Sequence, residues 1–170
     1  MARPKARSPQ ARSRRRVATP PRLDAPRLAD ESAVQIRAII AGRAAAVRAG
    51  DLDALLADLA PDVEIFDVVA PLHRRGLAAA RERAAVWLAS YDGPILWEDR
   101  DVTVVAGSDV ALAHGLAHVV GRLKTGAPVD MWFRKTLGFR RPGARWLIVH
   151  DHGSVPFDPA GGKALLGLRP

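Results

Sequence analysis

The chain has 170 residues, with 26 Lys and Arg against 18 Asp and Glu, five His and no Cys. That length gives room for one domain with a true core, and the lack of Cys excludes a disulfide framework, a thiolate metal site and a cysteine nucleophile. No apolar run reaches the ~18 residues that would suggest a membrane span, and the Arg-rich start lacks the apolar stretch of a secretory signal, so the cytoplasm is the expected location.

The net charge of +8 sits at the start of the chain, where Arg3, Lys5, Arg7, Arg12, Arg14, Arg15, Arg16 and Arg22 are accompanied by no acid. Residues 23–170 are therefore balanced. With Pro4, Pro9, Pro20 and Pro21 and few apolar side chains, residues 1–27 read as a disordered basic tail. Such a tail binds phosphates only weakly and in a salt-dependent way. Nucleic acid is not the expected partner of the domain beyond it.

Helical patterning begins at residue 30. Asp30 or Ser32 is placed to cap an N-terminus, Ile36, Ile40 and Val47 recur at helical spacing, and Gly50 supplies the stop. Asp51 reads as the N-cap of a second helix with Leu52, Leu55, Leu56 and Leu59, ended by Pro61. Residues 62–69 are β-branched and aromatic, the mark of a first strand, and Ala78 to Ser90 form a third helix bounded by Gly93-Pro94. From Ile95 the period switches to two. Four strands are expected at about 95–105, 109–123, 128–140 and 145–153, joined at Gly107-Ser108-Asp109, Lys124-Thr125-Gly126 and Pro142-Gly143. Short turns imply sequential antiparallel pairing. Three helices before a meander imply an α+β fold, with the helices on one face of a curved sheet that encloses a cavity. Residues 28–157 form the domain, and 158–170 a loose C-terminal extension.

Several polar residues fall where a core belongs. Arg43 lies on the stripe of Ile36, Ile40 and Val47; it either pairs with an anion inside or snorkels to solvent. Asp67 shares a strand face with Ile65 and Val63, and is either solvated or buried for a purpose, such as proton transfer. Trp132, Arg134 and Thr136 share a face of one strand. His114 and His118 are on one face but roughly 13 Å apart by strand rise, and His150 and His152 roughly 7 Å apart. Without a third ligand they point to no metal. Tyr91 is expected to pack. Trp87, Trp97, Trp132 and Trp146 are core and rim residues, of which Trp132 is also placed to face a ligand. The absence of a phosphate-cradling glycine loop, a dinucleotide fingerprint and a nucleophile elbow leaves no cofactor expected.

Two stretches carry a resemblance. Ala49-Gly50-Asp51-Leu52-Asp53-Ala54-Leu55-Leu56 with Ala60-Pro61-Asp62-Val63-Glu64-Ile65-Phe66-Asp67, and Trp146-Leu147-Ile148-Val149-His150-Asp151-His152-Gly153-Ser154, resemble the nuclear transport factor 2-like superfamily over residues 30–157. The SnoaL-like and ketosteroid isomerase-like branches are the most similar. The resemblance implies a cone of curved antiparallel sheet packed against three N-terminal helices. It places Asp67 where ketosteroid isomerases keep their general base, Arg43 where they have the oxyanion-hole Tyr, and Thr136 where they have the protonated Asp. The base candidate is kept and both oxyanion donors are replaced. The activity implied by the resemblance is cofactor-free acid–base chemistry, of isomerase or cyclase type, on a small apolar carbonyl compound. Asp67, Arg43 and Thr136 are then the catalytic candidates, with Arg134, Trp132, His114, His118, His152 and Trp87 around the substrate. The superfamily also holds non-catalytic binding modules with the same pocket, in which Arg43–Asp67 would be a structural ion pair. Its members commonly dimerise through the outer face of the sheet, so a homodimer is expected here.

Overall fold

The computed structural model describes residues 25–170, with side chains from residue 30. The elements run α1 (Ala25–Ala49), α2 (Leu52–Leu56), β1 (Leu59–Phe66), β2 (Arg74–Arg75), α3 (Leu77–Ala89), β3 (Leu96–Ala106), β4 (Val110–Arg122), β5 (Pro128–Arg140) and β6 (Leu147–Ser154). The basic tail expected at 1–27 lies outside the described residues up to 24, and 25–27 are the first turn of α1. Because α1 starts earlier than residue 30, Ser32 is a buried mid-helix residue and not a cap. The stop signal is real: Gly50 adopts φ +67°, and its amide and that of Asp51 bond back to Val47 and Ala46 at 3.1 and 2.9 Å, satisfying carbonyls the helix would otherwise orphan. Asp51 then accepts the Ala54 amide at 3.0 Å and starts α2.

The sheet has strand order β2-β1-β6-β5-β4-β3. β3 to β6 form the expected antiparallel meander. β1 adds to β6 in parallel, which the long connection through α3 and four strands permits. Helices α1 to α3 cover one face only, and the result is an α+β cone.

Two devices curl the sheet. The β3–β4 register shifts between Arg100 and Thr103, and Asp101 inside that shift takes φ +54°, a β-bulge that bends its strand. Gly115 of β4 faces the bulge; a Cβ there would lie 2.8 Å from the Arg100 carbonyl oxygen and 3.1 Å from the Val102 Cα. The backbones approach so closely that only glycine fits. A second shift, between Gly138 and Phe139, bends β5 against β6.

The inner face carries two apolar clusters. One gathers Ile36, Leu56, Val63, Phe139, Trp146 and Ile148; the other gathers Val47, Tyr91, Ile95, Ala117, Val119 and Phe133. Residues of both clusters line one cavity between the helices and the sheet. Beyond β6 the chain is not loose: Phe157 pairs with Ala164, Leu165 donates to the Pro156 carbonyl at 2.8 Å, and Arg169 meets Asp130 at 2.9 Å. Gly115→Ala is expected to lower stability by about 1–3 kcal/mol, the usual cost of overpacking, read as a fall in the denaturant midpoint.

Candidate functional site

The cavity has a volume of about 660 Å³ and mostly apolar walls, including Ile40, Val47, Leu56, Trp87, Val119 and Phe133. Seven charged residues line it: Arg43 from α1, Asp67 just after β1, Arg83 from α3, Asp99 from β3, Asp130 and Lys135 from β5 and Asp151 from β6. Of these, Asp130 is half exposed and held by His118 and Arg169.

Arg43 does not snorkel. Its Nη1 donates to the Leu55 carbonyl at 2.8 Å and its Nη2 to Asp151 Oδ2 at 2.9 Å, and the two side chains are only 12% and 17% exposed. Asp67 does point inward, but its partners are Arg83 at 2.7 Å and Arg74 at 3.5 Å, both on Oδ2. The Arg43–Asp67 ion pair envisaged from the sequence is therefore not formed. Each of those two residues has a closer opposite charge on a neighbouring element.

Asp99 accepts a hydrogen bond from Trp97 Nε1 at 3.0 Å. Burial pushes its pKa up, against the smaller opposing influence of Lys135, the Trp97 bond and Arg43. Its carboxyl thus holds a proton to higher pH than a solvated Asp. Lys135 shows the reverse. Burial drives its pKa down and nearby Arg43 adds to that, while Asp151, Asp99 and Asp67 oppose it. Its Nζ lies 3.8 Å from Asp151 Oδ1 and 5.0 Å from the centre of the Trp97 ring. Tyr91 lines the cavity edge-on to Trp87, and desolvation raises its phenol pKa, keeping it protonated.

Trp87 lines the cavity with Arg43 and Asp67. The other expected site residues do not. Thr136, Arg134 and Trp132 stand on the outer face of β5, whose inward residues are Phe133, Lys135 and Leu137. His114 pairs with Thr136 and His118 with Trp132 across the strands, so both histidines are outside as well. His118 stacks on Trp132 at 4.3 Å and meets Asp130 at 2.7 Å, while Arg100 lies 4.9 Å above the same indole. His152 packs with Phe66 outside the cone, as does His150. The cause is parity. A strand alternates strictly, so taking Trp132 as inward sends Lys135 out and Thr136 in. Counting from Phe133 or Leu137 instead brings Lys135 inward, and Asp151 would have followed from Ile148 and Gly153 only with the β5–β6 register shift in hand. Among the described residues no group of three His, Asp or Glu is arranged to hold a metal ion, and no helix is long and apolar enough to cross a membrane.

Arg43→Met leaves the Asp151 carboxylate buried and without its guanidinium partner. We expect a loss of about 3 kcal/mol or more, as for other broken buried pairs, and partial recovery when Asp151→Asn is added. Urea unfolding of the two variants checks this.

The SnoaL-like domain family model matches residues 36–158. No curated protein matches the chain. Among solved structures, a nuclear transport factor 2-like protein of unknown function from Pseudomonas putida KT2440 is 32% identical, with 82% of this chain and 98% of that one covered and a TM-score of 0.74. A candidate ketosteroid isomerase from Shewanella frigidimarina is 23% identical, covering 68% and 91%, with a TM-score of 0.59. A candidate scytalone dehydratase from Novosphingobium aromaticivorans shares the fold at 8% identity, covering 72% and 83%, with a TM-score of 0.65.

Proposed function

Since the chain belongs to the SnoaL-like domain family of the nuclear transport factor 2-like superfamily, we propose that it is a small-molecule enzyme working by cofactor-free acid–base chemistry on a small, mostly apolar carbonyl compound. The carrying observation is Asp99: a carboxyl group lining an apolar cavity, with its pKa raised by burial. A group tuned toward neutrality takes and returns a proton most effectively at working pH. Asp99 takes a proton from the carbon beside the substrate carbonyl and returns it elsewhere on the substrate. The guanidinium of Arg43 supplies positive charge near the developing enolate, and Tyr91 offers a protonated phenol at the same wall. The cavity volume lies in the range that encloses a drug-sized ligand.

In this reading the base role expected of Asp67 passes to Asp99. Oδ2 of Asp67 is committed to two guanidiniums, and Thr136 has no access to the substrate from the outer face. The test is hydrogen–deuterium exchange at the α-carbon of 2-tetralone, monitored by NMR. Wild-type protein is expected to speed the exchange and Asp99→Asn to lose about 10²-fold or more of it, the scale of a removed general base; Asp67→Asn should lose less. Equal rates for wild type and Asp99→Asn would remove Asp99 from the chemistry.

A second reading, a non-catalytic binding module, is favoured by one observation: Arg43–Asp151 and Arg83–Asp67 are closed ion pairs, bonded within the protein at 2.9 and 2.7 Å. Binding of 2-tetralone without any acceleration of exchange would select it.

We also infer a homodimer through the sheet's outer face. No helix covers that face, and Leu96, Val105 and Leu112 are exposed on it beside the His118–Trp132 stack. Sedimentation of wild type as a dimer and of Leu112→Glu as a monomer is expected; a wild-type monomer at every concentration would end the proposal.

A further inference from the structure

We propose that Lys135 is a nucleophilic amine that condenses with an aldehyde or ketone in the cavity to form an imine. The proposal rests on the reading of the cavity as a carbonyl-binding site, and adds an activity there that proton transfer by Asp99 does not require.

Position comes first. Lys135 sits mid-strand on β5, inward between Phe133 and Leu137, where the backbone is held by both neighbours. Its cross-strand partners are Gly115 on β4 and Gly153 on β6. Neither partner carries a side chain, and Lys135 lines the cavity. The glycine at 115 is also demanded by the β3 bulge, whose backbone fills the space a Cβ would take.

The surroundings then favour the neutral amine. Among the described residues Nζ has one carboxylate within 4 Å, Asp151, at 3.8 Å, too far for a hydrogen bond. The other oxygen of that carboxylate is engaged by Arg43 at 2.9 Å. An ammonium needs acceptors for three donors, and here it has none among the described residues. Four charged groups face Lys135: Arg43 from α1, Asp99 from β3, Asp67 after β1 and Asp151 from β6. Of these, Arg43 disfavours a second cation, and the three carboxylates do not outweigh burial. Burial in an apolar pocket beside another cation is the setting that activates lysine as a nucleophile.

The step balances without a co-reactant. The Nζ lone pair attacks the carbonyl carbon and the C=O π pair moves to oxygen. A proton passes from nitrogen to that oxygen, giving the carbinolamine. The Asp99 carboxyl then protonates the hydroxyl, which leaves as water while the nitrogen lone pair forms C=N. The products are an iminium, one water and the Asp99 carboxylate.

The chain has four lysines, Lys5, Lys124, Lys135 and Lys163, which makes the test clean. Full-length protein is treated at pH 7 with benzaldehyde and sodium cyanoborohydride, and the benzylated sites are mapped by peptide mass spectrometry over time. We expect Lys135 to be labelled clearly faster than Lys124 and Lys163, because a lowered amine pKa enlarges the neutral, nucleophilic fraction at pH 7. The preference should shrink as the pH nears 10 and the exposed lysines deprotonate. Lys135→Arg should remove the fast label; if that variant does not fold, Lys135→Met serves. Labelling of Lys124 and Lys163 with Lys135 unmodified would overturn the proposal while leaving any 2-tetralone exchange standing. Absence of both benzaldehyde labelling at Lys135 and 2-tetralone exchange would overturn it together with the carbonyl reading.

Discussion

A charge buried in hydrocarbon must be matched on the spot, and the Arg43–Asp151 pair is the place where this fold meets that demand. The guanidinium comes from α1, the carboxylate from β6, and the Leu55 carbonyl at the end of α2 takes a further donor. The neighbouring α1 and α2 are thereby fixed to each other and to the distant β6 at the cavity wall. A mispacked helix layer would strand two charges in an apolar wall, at several kcal/mol each. The pair contributes specificity of packing more than net stability. It also prevents the cavity from collapsing, because neither group tolerates contact with the facing hydrocarbon alone.

The cavity itself is a product of sheet curvature. A flat six-stranded sheet under three helices would be filled by interdigitated side chains. Here the bulge at Arg100–Thr103 and the shift at Gly138–Phe139 turn β3, β4 and β5 around the helices. The inward residues of β4 include Ala111, Ala113 and Ala117, all buried, and their small size leaves room for α1 and for open space. The larger Leu112 and Leu116, with His114 and His118, are directed outward. Size, in this strand, runs opposite to the usual inside–outside rule.

That inversion explains what could be read from the sequence. The boundaries of the four meander strands were legible to within about two residues, because glycine turns and a period of two mark them independently of any partner, whereas β1 begins three residues earlier than expected and the two-residue β2 was not read. The order of helices before meander, and hence the α+β class, came with them. Asp67 and Arg43 were legible as candidates because each interrupts an otherwise apolar stripe, but their inward orientation was left open until the structure placed them at the cavity. The face of β5 was not legible. Trp132-Phe133-Arg134-Lys135-Thr136-Leu137 places an aromatic, a cation and a third residue on each parity, so polarity alone cannot choose. The choice is made by tertiary contacts: His118 and Arg100 bury Trp132 from outside. Likewise, Asp151 was hidden between His150 and His152, whose spacing suggested the wrong face. The parallel contact of β1 with β6 leaves no local mark at all. The C-terminal segment, rich in glycine, looked loose because its order depends on distant Asp130 and on Leu166 reaching the cavity.

Apart from Asp130, which pairs with His118 and Arg169 at the rim, the charged groups of the cavity divide by what they are bonded to. Arg43 with Asp151 and Arg83 with Asp67 form two closed pairs at 2.9 and 2.7 Å. Their bonds tie α1 to β6 and α3 to the end of β1. Asp99 and Lys135 are what is left: an acid whose ionic form is opposed by burial and a base whose ionic form is opposed by burial. Both are therefore displaced toward neutrality, from opposite directions, and each moderates the other's shift. These two can therefore exchange a proton with a bound molecule at modest cost. The closed pairs keep the hollow open and charged in a fixed pattern, and the pair without close partners is where protons and electron pairs can move.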